Sequence, residues 1–464
     1  MVEVTVQDNE LIELCALGPD GEYRARNRLT VPDVTGRPVA ELSLVPTLFV
    51  NRAMDALHRT STPAADERTA AIARAARLFA TATINGLSVA DYENAVCRVA
   101  GLPISVVRAT TQAIGRRVAR AYDSVQQARP AGAVNDWRDP LTRTGKAVWS
   151  RRGNVFAVHA AGNHPGPHST WPEALALGYR VAVRPSGREP FTPHRLVTAL
   201  RSAGFGPDQV VLLPTDHAAA ADITAGADLS MVYGGSDVIR MFGASTRTLP
   251  QGPGRSKILL TADVDWREHL DTITGSVIHH GGTGCVNATA VFVEGDPAPV
   301  AAAVAERLSM IPSLPPQDER AVYPVQAADS ARAIEKYLLS KAAGARAWLG
   351  GDGIVAELGD GSAVLRPAVH QLERSDTALA GLEMPFPCVW IAPWAAEDGT
   401  APLKNTLALT AFTGNEALVD DLLSEPTISN VYLGDHPTYW IEPGLPHDGY
   451  LAEFLMRSKA VVRD

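Results

Sequence analysis

One cysteine in this sequence stands in a setting that suits covalent catalysis. Cys285 lies within residues 279–295, His-His-Gly-Gly-Thr-Gly-Cys-Val-Asn-Ala-Thr-Ala-Val-Phe-Val-Glu-Gly, between a glycine-rich approach and an apolar run that predicts a buried strand over 288–293. Glycines permit close backbone approach, so the amide N–H of Cys285 is free to donate to an oxyanion that forms beside its sulfur. A small buried cysteine with no chemical role fits the same pattern, and this segment alone leaves both interpretations open.

Length and composition set the broad class. The chain has 464 residues, more than one ordinary domain holds, and its 46% hydrophobic and 20% charged content is typical of a globular protein with large cores. A net charge of −9 without a basic block argues against nucleic acid as a partner. Four scattered cysteines match neither a disulfide framework nor a metal site. With no signal-peptide pattern and no apolar run of membrane length, we expect a cytoplasmic protein that binds no metal and no membrane.

Periodicity divides the chain into segments of different structure. Residues 1–45 alternate in short runs typical of strands and turns, and helical patterns follow, the last of them a single long helix over 105–127. From 154 to 260, strands alternate with helices, which indicates parallel βαβ units of the kind that bind a nucleotide. A second βαβ series runs from 288 to about 432. No Gly-x-Gly-x-x-Gly occurs in the first series, so the standard dinucleotide fingerprint is absent.

Several short motifs, in this order along the chain, resemble those of the aldehyde dehydrogenase superfamily over nearly the whole sequence. They are Ala-Ala-Gly-Asn-His-Pro-Gly (160–166), Val-Arg-Pro-Ser-Gly (183–187), Tyr-Gly-Gly-Ser-Asp-Val (233–238), the Cys285 segment with Phe292, Glu-Met-Pro-Phe-Pro (383–387) and the closing segments 434–439 and 446–450. The family has phenylalanine where this chain has Pro385. Each motif is weak alone, but six in the family's order support the assignment strongly.

The resemblance implies a role for each matched residue. Cys285 would be the nucleophile, and Asn163 would donate its side-chain amide to the substrate oxyanion. The cofactor would be held by Arg184 and Ser186 on the adenosine ribose, by Gly234, Gly235 and Ser236 on the pyrophosphate, and by Glu383 on the nicotinamide ribose.

The resemblance also implies a fold and an assembly. The fold is α/β, with two Rossmann-type parallel-sheet domains and a small oligomerisation hairpin and tail. We expect a nucleotide-binding domain over 1–135 and 155–262, a catalytic domain over 263–454, and oligomerisation segments over 136–154 and 455–464. An apolar tail strand at 460–462 would pair with another subunit's sheet edge, which predicts a homodimer or homotetramer.

One departure from the family pattern bears on mechanism. Family members that hydrolyse the acyl-enzyme carry a glutamate that activates water, and the corresponding position here is Gln251. No Asp or Glu occurs from Met241 to Ala262, so a small alignment shift cannot restore a carboxylate. A glutamine can position water but cannot take its proton at neutral pH. Loss of this glutamate is characteristic of branches that exchange the acyl group with a thiol, chiefly coenzyme A, and 159–166 resembles the acyl-CoA reductase branch.

The expected function is therefore NAD(P)-dependent interconversion of an acyl-CoA thioester and its aldehyde, with coenzyme A as co-substrate. NADP is favoured over NAD, because Arg184 and Arg188 suit a 2′-phosphate and Gly187 stands where many NAD-preferring relatives carry a glutamate. Two alternatives stay open: an ordinary aldehyde dehydrogenase that releases acid, its base a histidine or water held by Gln251, and a catalytically weak nucleotide-binding subunit.

Four histidines near the motifs are candidate bases: His164, His168, His279 and His280. Packing or hydrogen bonding is the better prediction for each of them, because histidine is commonly half-buried in structural roles. Adjacent residues of a helix or strand point to different sides, so we expect at most one of His279 and His280 to face the pocket.

Overall fold

The computed structural model describes residues 11–375, 377–442 and 444–464. The strand pattern expected for residues 1–10 lies outside these residues. The chain forms two compact units. The first holds the described residues up to Val99 together with Ala109–Gly252 and Tyr450–Asp464, and the second holds Ala100–Arg108 and Pro253–Gly449.

The N-terminal quarter begins with short strands and continues as helices. The strands are β1 (Ile12–Leu14), β2 (Ala16–Gly18), β3 (Gly21–Tyr23), β4 (Arg28–Pro32) and β5 (Pro38–Ser43), and the helices are α1 (Thr47–Arg59), α2 (Ala65–Thr81), α3 (Val89–Ala100), α4 (Ile104–Ala119) and α5 (Ala121–Gln127). The expectation of one helix over 105–127 is wrong. Arg120 has φ −106° and ψ 12°, outside the helical region, so the backbone leaves the helix there and two helices result.

The next part of the chain alternates strands and helices, as its periodicity predicts. Its elements are β6 (Lys146–Arg151), β7 (Val155–His159), α6 (Pro172–Ala176), β8 (Arg180–Arg184), α7 (Phe191–Ser202), β9 (Val210–Leu212), α8 (His217–Gly226), β10 (Leu229–Tyr233), α9 (Ser236–Phe242) and β11 (Thr248–Gln251).

The rest of the chain combines helices with strands, four of which, over residues 346–371, follow one another without a helix between them. These elements are β12 (Ser256–Leu260), α10 (Leu270–Ile278), β13 (Ala288–Glu294), α11 (Ala298–Ser309), β14 (Val325–Ala327), α12 (Ala328–Lys341), β15 (Arg346–Leu349), β16 (Val355–Glu357), β17 (Ser362–Leu365), β18 (Ala368–Gln371), α13 (Thr377–Ala380), β19 (Cys388–Trp394), β20 (Thr406–Phe412), α14 (Glu416–Ser424), β21 (Ile428–Leu433), α15 (Leu451–Leu455) and β22 (Met456–Val461).

The first unit is built on a seven-stranded sheet in the order β11-β10-β7-β8-β9-β2-β3. The strands from β11 to β9 are parallel, and β2 adds antiparallel to β9. Helix α1 shows why the layers form. Its buried residues Val50, Ala53, Met54 and Leu57 recur at helical spacing and pack on one core with strand residues such as Ala157. A parallel sheet with helices on its faces keeps its strands almost wholly apolar, and β7 to β9 follow that rule.

The second unit is built on another seven-stranded sheet, in the order β15-β18-β19-β13-β12-β20-β21. Its strands are parallel except β15, which pairs antiparallel with β18. Strand β20 is buried along its whole length, so apolar side chains cover both faces at the centre. The predicted α/β architecture with two parallel sheets is confirmed.

The place of one strand corrects the sequence interpretation. A strand predicted over 257–260 was assigned to the nucleotide-binding domain, which was expected to end at 262, but the observed strand β12 lies inside the second sheet between β13 and β20. Every residue of β12 is buried, a pattern that fits the centre of either sheet, so periodicity could not assign it. The short stretch Ala100–Arg108 also belongs to the second unit, since Gly101 O accepts from Val325 N at 2.8 Å and Ile104 N donates to Pro316 O at 2.8 Å.

The tail strand pairs within its own chain. β22 lies antiparallel to β6, with Met456 opposite Arg151 and Val461 opposite Lys146, and the two form a separate two-stranded sheet. In the described part of the chain, no helix combines the length and apolarity needed to cross a membrane.

Candidate active site

Most of the matched residues in the first unit meet at one edge of its sheet. The strands β11, β10, β7 and β8 are parallel neighbours, so their carboxyl ends lie side by side. Asn163 follows β7, Arg184 ends β8 with Ser186 just beyond, Gly234 to Ser236 join β10 to α9, and Gln251 ends β11. Parallel α/β sheets bind ligands at this edge.

Close contacts between the loops fix this edge. A Cβ at Gly162 would lie 2.0 Å from Ser186 Oγ, so the loops after β7 and β8 touch only because residue 162 is glycine. Gly234 N donates to Gln251 O at 3.0 Å, which ties the turn before α9 to the end of β11. Asn163 and Gln251 are thereby held on loops or strand ends whose backbone is defined by neighbouring strands.

The Arg184 guanidinium is anchored at the same edge. Its Nε donates to Thr215 Oγ1 at 2.9 Å and its Nη2 donates to Thr215 O at 3.2 Å. Burial lowers the pKa of Arg184, and the nearby Asp216 carboxylate partly offsets that effect. Arginine carries five N–H donors, so these two bonds leave part of the guanidinium available to a ligand.

The second unit presents Cys285 on a loop with an unusual backbone. After α10, the residues His280, Gly281 and Gly282 all have positive φ, at 51°, 72° and 67°. A Cβ at Gly282 would lie 2.5 Å from Pro387 N, so this position needs glycine for space as well as for conformation. The sequence predicted that glycines would permit close backbone approach near Cys285. At Gly282 the backbone that approaches is that of the 383–387 segment.

Asn287 fastens this loop and was missed by the sequence interpretation. Its Oδ1 accepts from Gly284 N at 2.8 Å, and its Nδ2 donates to His279 O at 2.8 Å as well as to the carbonyls of Ser276 and Val277. A buried amide that bonds to four backbone groups holds the loop in one shape. The signal in the sequence was a polar residue directly before an apolar strand.

Residues 253–256, which end with the first residue of β12, form a segment that packs on the Cys285 backbone. This segment is called the strap. A Cβ at Gly254 would lie 1.8 Å from Cys285 O, so side chains are excluded at this position. Ser256 Oγ donates to Cys285 O at 3.0 Å. These contacts fix the peptide that follows the thiol.

Glu383 also binds the strap. Its carboxylate accepts from Arg255 N at 3.0 Å and from the N–H of Gly254. Burial raises the pKa of Glu383, and these backbone donors partly counter the effect. Glu383 and Cys285 therefore both contact the strap, and all three belong to the second unit.

The Cys285 thiol is neutral in this state. Of the four cysteines, Cys285 is partly exposed, while Cys15, Cys97 and Cys388 are buried. Desolvation, joined by the negative charges of Glu383 and Asp448, raises the pKa of the Cys285 thiol to about 12. A thiol of this kind needs a base or a nearby positive charge before it can attack a carbonyl.

A histidine that the sequence interpretation did not single out lies next to this thiol. His447 Nε2 is 3.6 Å from Cys285 Sγ. The His447 carbonyl accepts from Asn430 Nδ2, and Asn430 also donates to Leu407 O at 2.8 Å, which ties the histidine's backbone to the second sheet. The residues are far apart in sequence, so no local motif signalled the pair.

The four histidines considered from the sequence are held in structural contacts. His164 Nδ1 accepts from Gly166 N at 3.0 Å, and His168 Nδ1 accepts from Trp171 Nε1 at 3.3 Å. Burial lowers the pKa of His168 to about 3.

The expectation that His279 and His280 point to different sides is wrong. Their rings stack at 3.8 Å, and the His279 ring also stacks on Tyr439 at 3.7 Å. The left-handed conformation of His280 turns its side chain back over its neighbour, which neither a helix nor a strand would do. Burial lowers the pKa of His279 to about 3 and that of His280 to about 4.

Comparison with known proteins identifies the family. The model of the aldehyde dehydrogenase family matches residues 30–452. Aldehyde dehydrogenase 1A1 of Equus caballus is 30% identical over 131 residues, a match that spans 26% of this chain and 26% of that relative, about a quarter of its length.

Solved structures share the whole fold at low identity. Indole-3-acetaldehyde dehydrogenase AldA of P. syringae, in complex with NAD+ and IAA, superposes with a TM-score of 0.81 at 17% identity, covering 98% of both chains. Aldehyde dehydrogenase 21 of Physcomitrella patens, in complex with the reaction product succinate, gives a TM-score of 0.80 at 15% identity, again over 98% of both chains.

The chain belongs to the aldehyde dehydrogenase family. The predicted membership is confirmed.

Proposed function

We propose that this protein interconverts an aldehyde and an acyl thioester with a nicotinamide dinucleotide, through an acyl group carried on Cys285. The observation that supports the thioester is Gln251. It ends β11 at the carboxyl edge of the first sheet, where family members that release acid carry a glutamate. The chain has no Asp or Glu from Met241 to Ala262, so this edge has no carboxylate from that segment to activate water.

Several of the matched residues have the chemistry that a dinucleotide requires. Arg184 and Ser186 supply donors for a ribose or its phosphate, Gly234 to Ser236 bring backbone N–H groups to the start of α9, and Glu383 supplies a carboxylate for ribose hydroxyls. A bound nicotinamide would accept hydride in the oxidising direction and donate it in the reducing direction.

The chain's own residues do the remaining work. The sulfur of Cys285 attacks the carbonyl carbon, and the carbonyl π pair moves to oxygen. The backbone N–H of Cys285 and the side-chain amide of Asn163 are the proposed donors to that oxyanion. In release to a thiol, the thiol sulfur forms a bond to the acyl carbon and the bond from Cys285 sulfur breaks. The electron pair of the broken bond returns to Cys285, which takes up the proton that the thiol loses.

NADP is the proposed preference over NAD. Two hydrogen bonds to Thr215 fix Arg184, and the other N–H groups of its guanidinium can donate to a 2′-phosphate. Gly187 carries no side chain that would repel that phosphate. The P. syringae relative was solved with NAD+, which makes NAD the alternative.

Release of a carboxylic acid is the second candidate function. His447 lies 3.6 Å from Cys285 Sγ and has the chemistry to activate water where Gln251 does not. The Physcomitrella relative was solved with succinate described as its reaction product, an acid. A catalytically weak nucleotide-binding subunit is the remaining alternative.

Assembly and location extend the proposal. We expect a homodimer or homotetramer that uses the β6–β22 sheet, because β22 is exposed along most of its length. Among the described residues the cysteines form no disulfide, which fits a reducing compartment, and the proposed location is the cytoplasm.

Incubation with defined substrates separates these functions. NADPH with a panel of acyl-CoAs should yield aldehydes and free CoA, and NADP+ with aldehydes should yield acyl-CoA when CoA is added. Acid formation at the same rate without CoA would favour the second candidate. If there is no turnover in either direction but the cofactor still binds, the catalytically weak nucleotide-binding subunit is the remaining interpretation.

A further inference from the structure

We propose that His447 is the base that takes the proton of Cys285 when the thiol attacks the substrate carbonyl. The inference rests on the proposed role of Cys285 as nucleophile and adds a second catalytic residue to it.

The geometry is the first support. Nε2 of His447 lies 3.6 Å from Cys285 Sγ, within range of a hydrogen bond to sulfur. Asn430 holds the His447 backbone, and Ser429 Oγ donates to the carboxylate of the adjacent Asp448 at 3.0 Å. Both contacts come from β21, a strand of the second sheet, so a rigid element positions the histidine.

The other titratable groups around the thiol are unsuited to the task. Glu383 accepts hydrogen bonds from the strap, and Asp448 accepts one from Ser429. The His279 ring stacks on the rings of His280 and Tyr439, and burial holds the pKa values of both imidazoles well below neutrality. A carboxylate near the thiol also opposes thiolate formation, so Glu383 and Asp448 increase the need for a base.

The attack on the carbonyl moves one proton from Cys285 to His447. The S–H bond of Cys285 breaks, its proton passes to Nε2 of His447, and the freed sulfur pair forms the bond to the carbonyl carbon. The carbonyl π pair becomes the oxyanion. When the carbon–sulfur bond breaks again in the reducing direction, the pair returns to sulfur and the imidazolium returns the proton.

The test compares His447→Gln with His436→Gln, a matched control on an exposed histidine of the same closing region. Glutamine keeps polarity and approximate size but cannot take the proton at neutral pH. Circular dichroism and cofactor titration verify that each variant is folded. We expect His447→Gln to lower kcat/KM by about 10²- to 10⁴-fold at pH 7, and His436→Gln to change it less than threefold.

Two further readouts separate base catalysis from a structural role. Added imidazole should restore part of the activity of His447→Ala and none of Cys285→Ala. The pH profile of His447→Gln should lose the low-pH limb that an imidazole base gives the unmodified enzyme, and its rate should rise with hydroxide instead.

Specific results would overturn the proposal. His447→Gln within threefold of the unmodified kcat/KM, with the same pH profile, contradicts it. A burst of unchanged rate before a slower steady state would place His447 in acyl release rather than in thiol attack.

Labelling separates this proposal from the proposed function. Iodoacetamide alkylation of Cys285 without substrate should be slower in His447→Gln than in His436→Gln, whatever the enzyme's reaction. If alkylation slows but Cys285→Ala keeps its activity, the pair exists and the proposed function is wrong. Equal alkylation rates across pH 6–9 would reject the coupling of His447 to the thiol.

Discussion

A Cβ atom at residue 254 would lie 1.8 Å from the carbonyl oxygen of Cys285, so the strap can pack on the Cys285 backbone only because residue 254 is glycine. Glu383 binds the same strap through the N–H groups of Gly254 and Arg255. The position of the thiol therefore depends on a glycine that lies well before it in the sequence.

Gly254→Ala should impair catalysis more than folding. The strap or the Cys285 peptide must move by more than 1 Å to admit the methyl group, and a misplacement of about that size can cost about 10²-fold in rate. We expect kcat to fall by about that factor, measured at saturating substrate. Gly344→Ala is the matched control, because a Cβ there meets no atom within 4 Å. Equal kcat values for the two variants would contradict the role of the strap.

Cys285 should be the cysteine that reagents label first, and its labelling should depend steeply on pH. It is partly exposed while the other three are buried. Since the pKa of its thiol is raised to about 12, the thiolate fraction in the His447→Gln variant, which lacks the neighbouring imidazole, should rise tenfold per pH unit from pH 7 to 10, and the labelling rate with it. Mass spectrometry of alkylated peptides measures both. A rate that levels off below pH 9 would show a lower pKa, and faster labelling of Cys97 would contradict the exposure argument.

Gly187→Glu should reverse the cofactor preference. A carboxylate there repels a 2′-phosphate and accepts hydrogen bonds from ribose hydroxyls. A Cβ at this position would lie 2.8 Å from Leu29 Cδ2, the end of a flexible side chain that can move aside. We expect NADPH to bind at least tenfold more weakly and NADH to bind as well or better, by fluorescence titration. Gly187→Gln is the neutral control, and tighter binding of NADH by the unmodified protein would reverse the NADP proposal.

Sequence reasoning predicted the elements and the family better than the contacts between distant segments. Strands such as Leu229–Tyr233 are visible as apolar runs, because burial on both faces leaves a local pattern. The sheet to which Ser256–Leu260 belongs depends on its partners β13 and β20, and no local pattern encodes partners.

The site residues also fall into two groups, those that a local motif marks and those that only the folded chain reveals. Cys285 and the residues at the strand ends were found because short motifs surround them. His447 and Gly254 act through residues far away in sequence, so their contacts with Cys285 appear only in the folded chain. The stacking of His279 on His280 depends on the left-handed backbone conformation of His280, which is uncommon for residues other than glycine.

Glu189→Gln should stabilise the protein at neutral and higher pH. Glu189 is buried, its Oε1 accepts from Thr192 N at 2.9 Å, and its Oε2 has no hydrogen-bond partner among the described residues. Burial raises the pKa of Glu189 to about 7 from an ordinary value of 4.5. Between those values the folded state holds a proton that the unfolded state has lost, so stability falls as pH rises from 4.5 to 7.

The glutamine keeps the Thr192 bond and removes this titration. We expect a higher Tm than that of the unmodified protein at pH 8 and no difference near pH 4.5, by calorimetry at both values. A Tm difference that is the same at both pH values would contradict the raised pKa.

The most direct test of the central claim is pre-steady-state kinetics with an aldehyde and NADP+, with and without CoA. Because Gln251 cannot take a proton from water, the acyl group on Cys285 should persist without a thiol acceptor. We predict a burst of about one reduced cofactor per active site, then a slow steady state that CoA accelerates by about 10²-fold or more. Gln251→Glu should give faster turnover without CoA. A fast steady state in the unmodified protein that does not respond to CoA would contradict the thioester function and favour release of the acid.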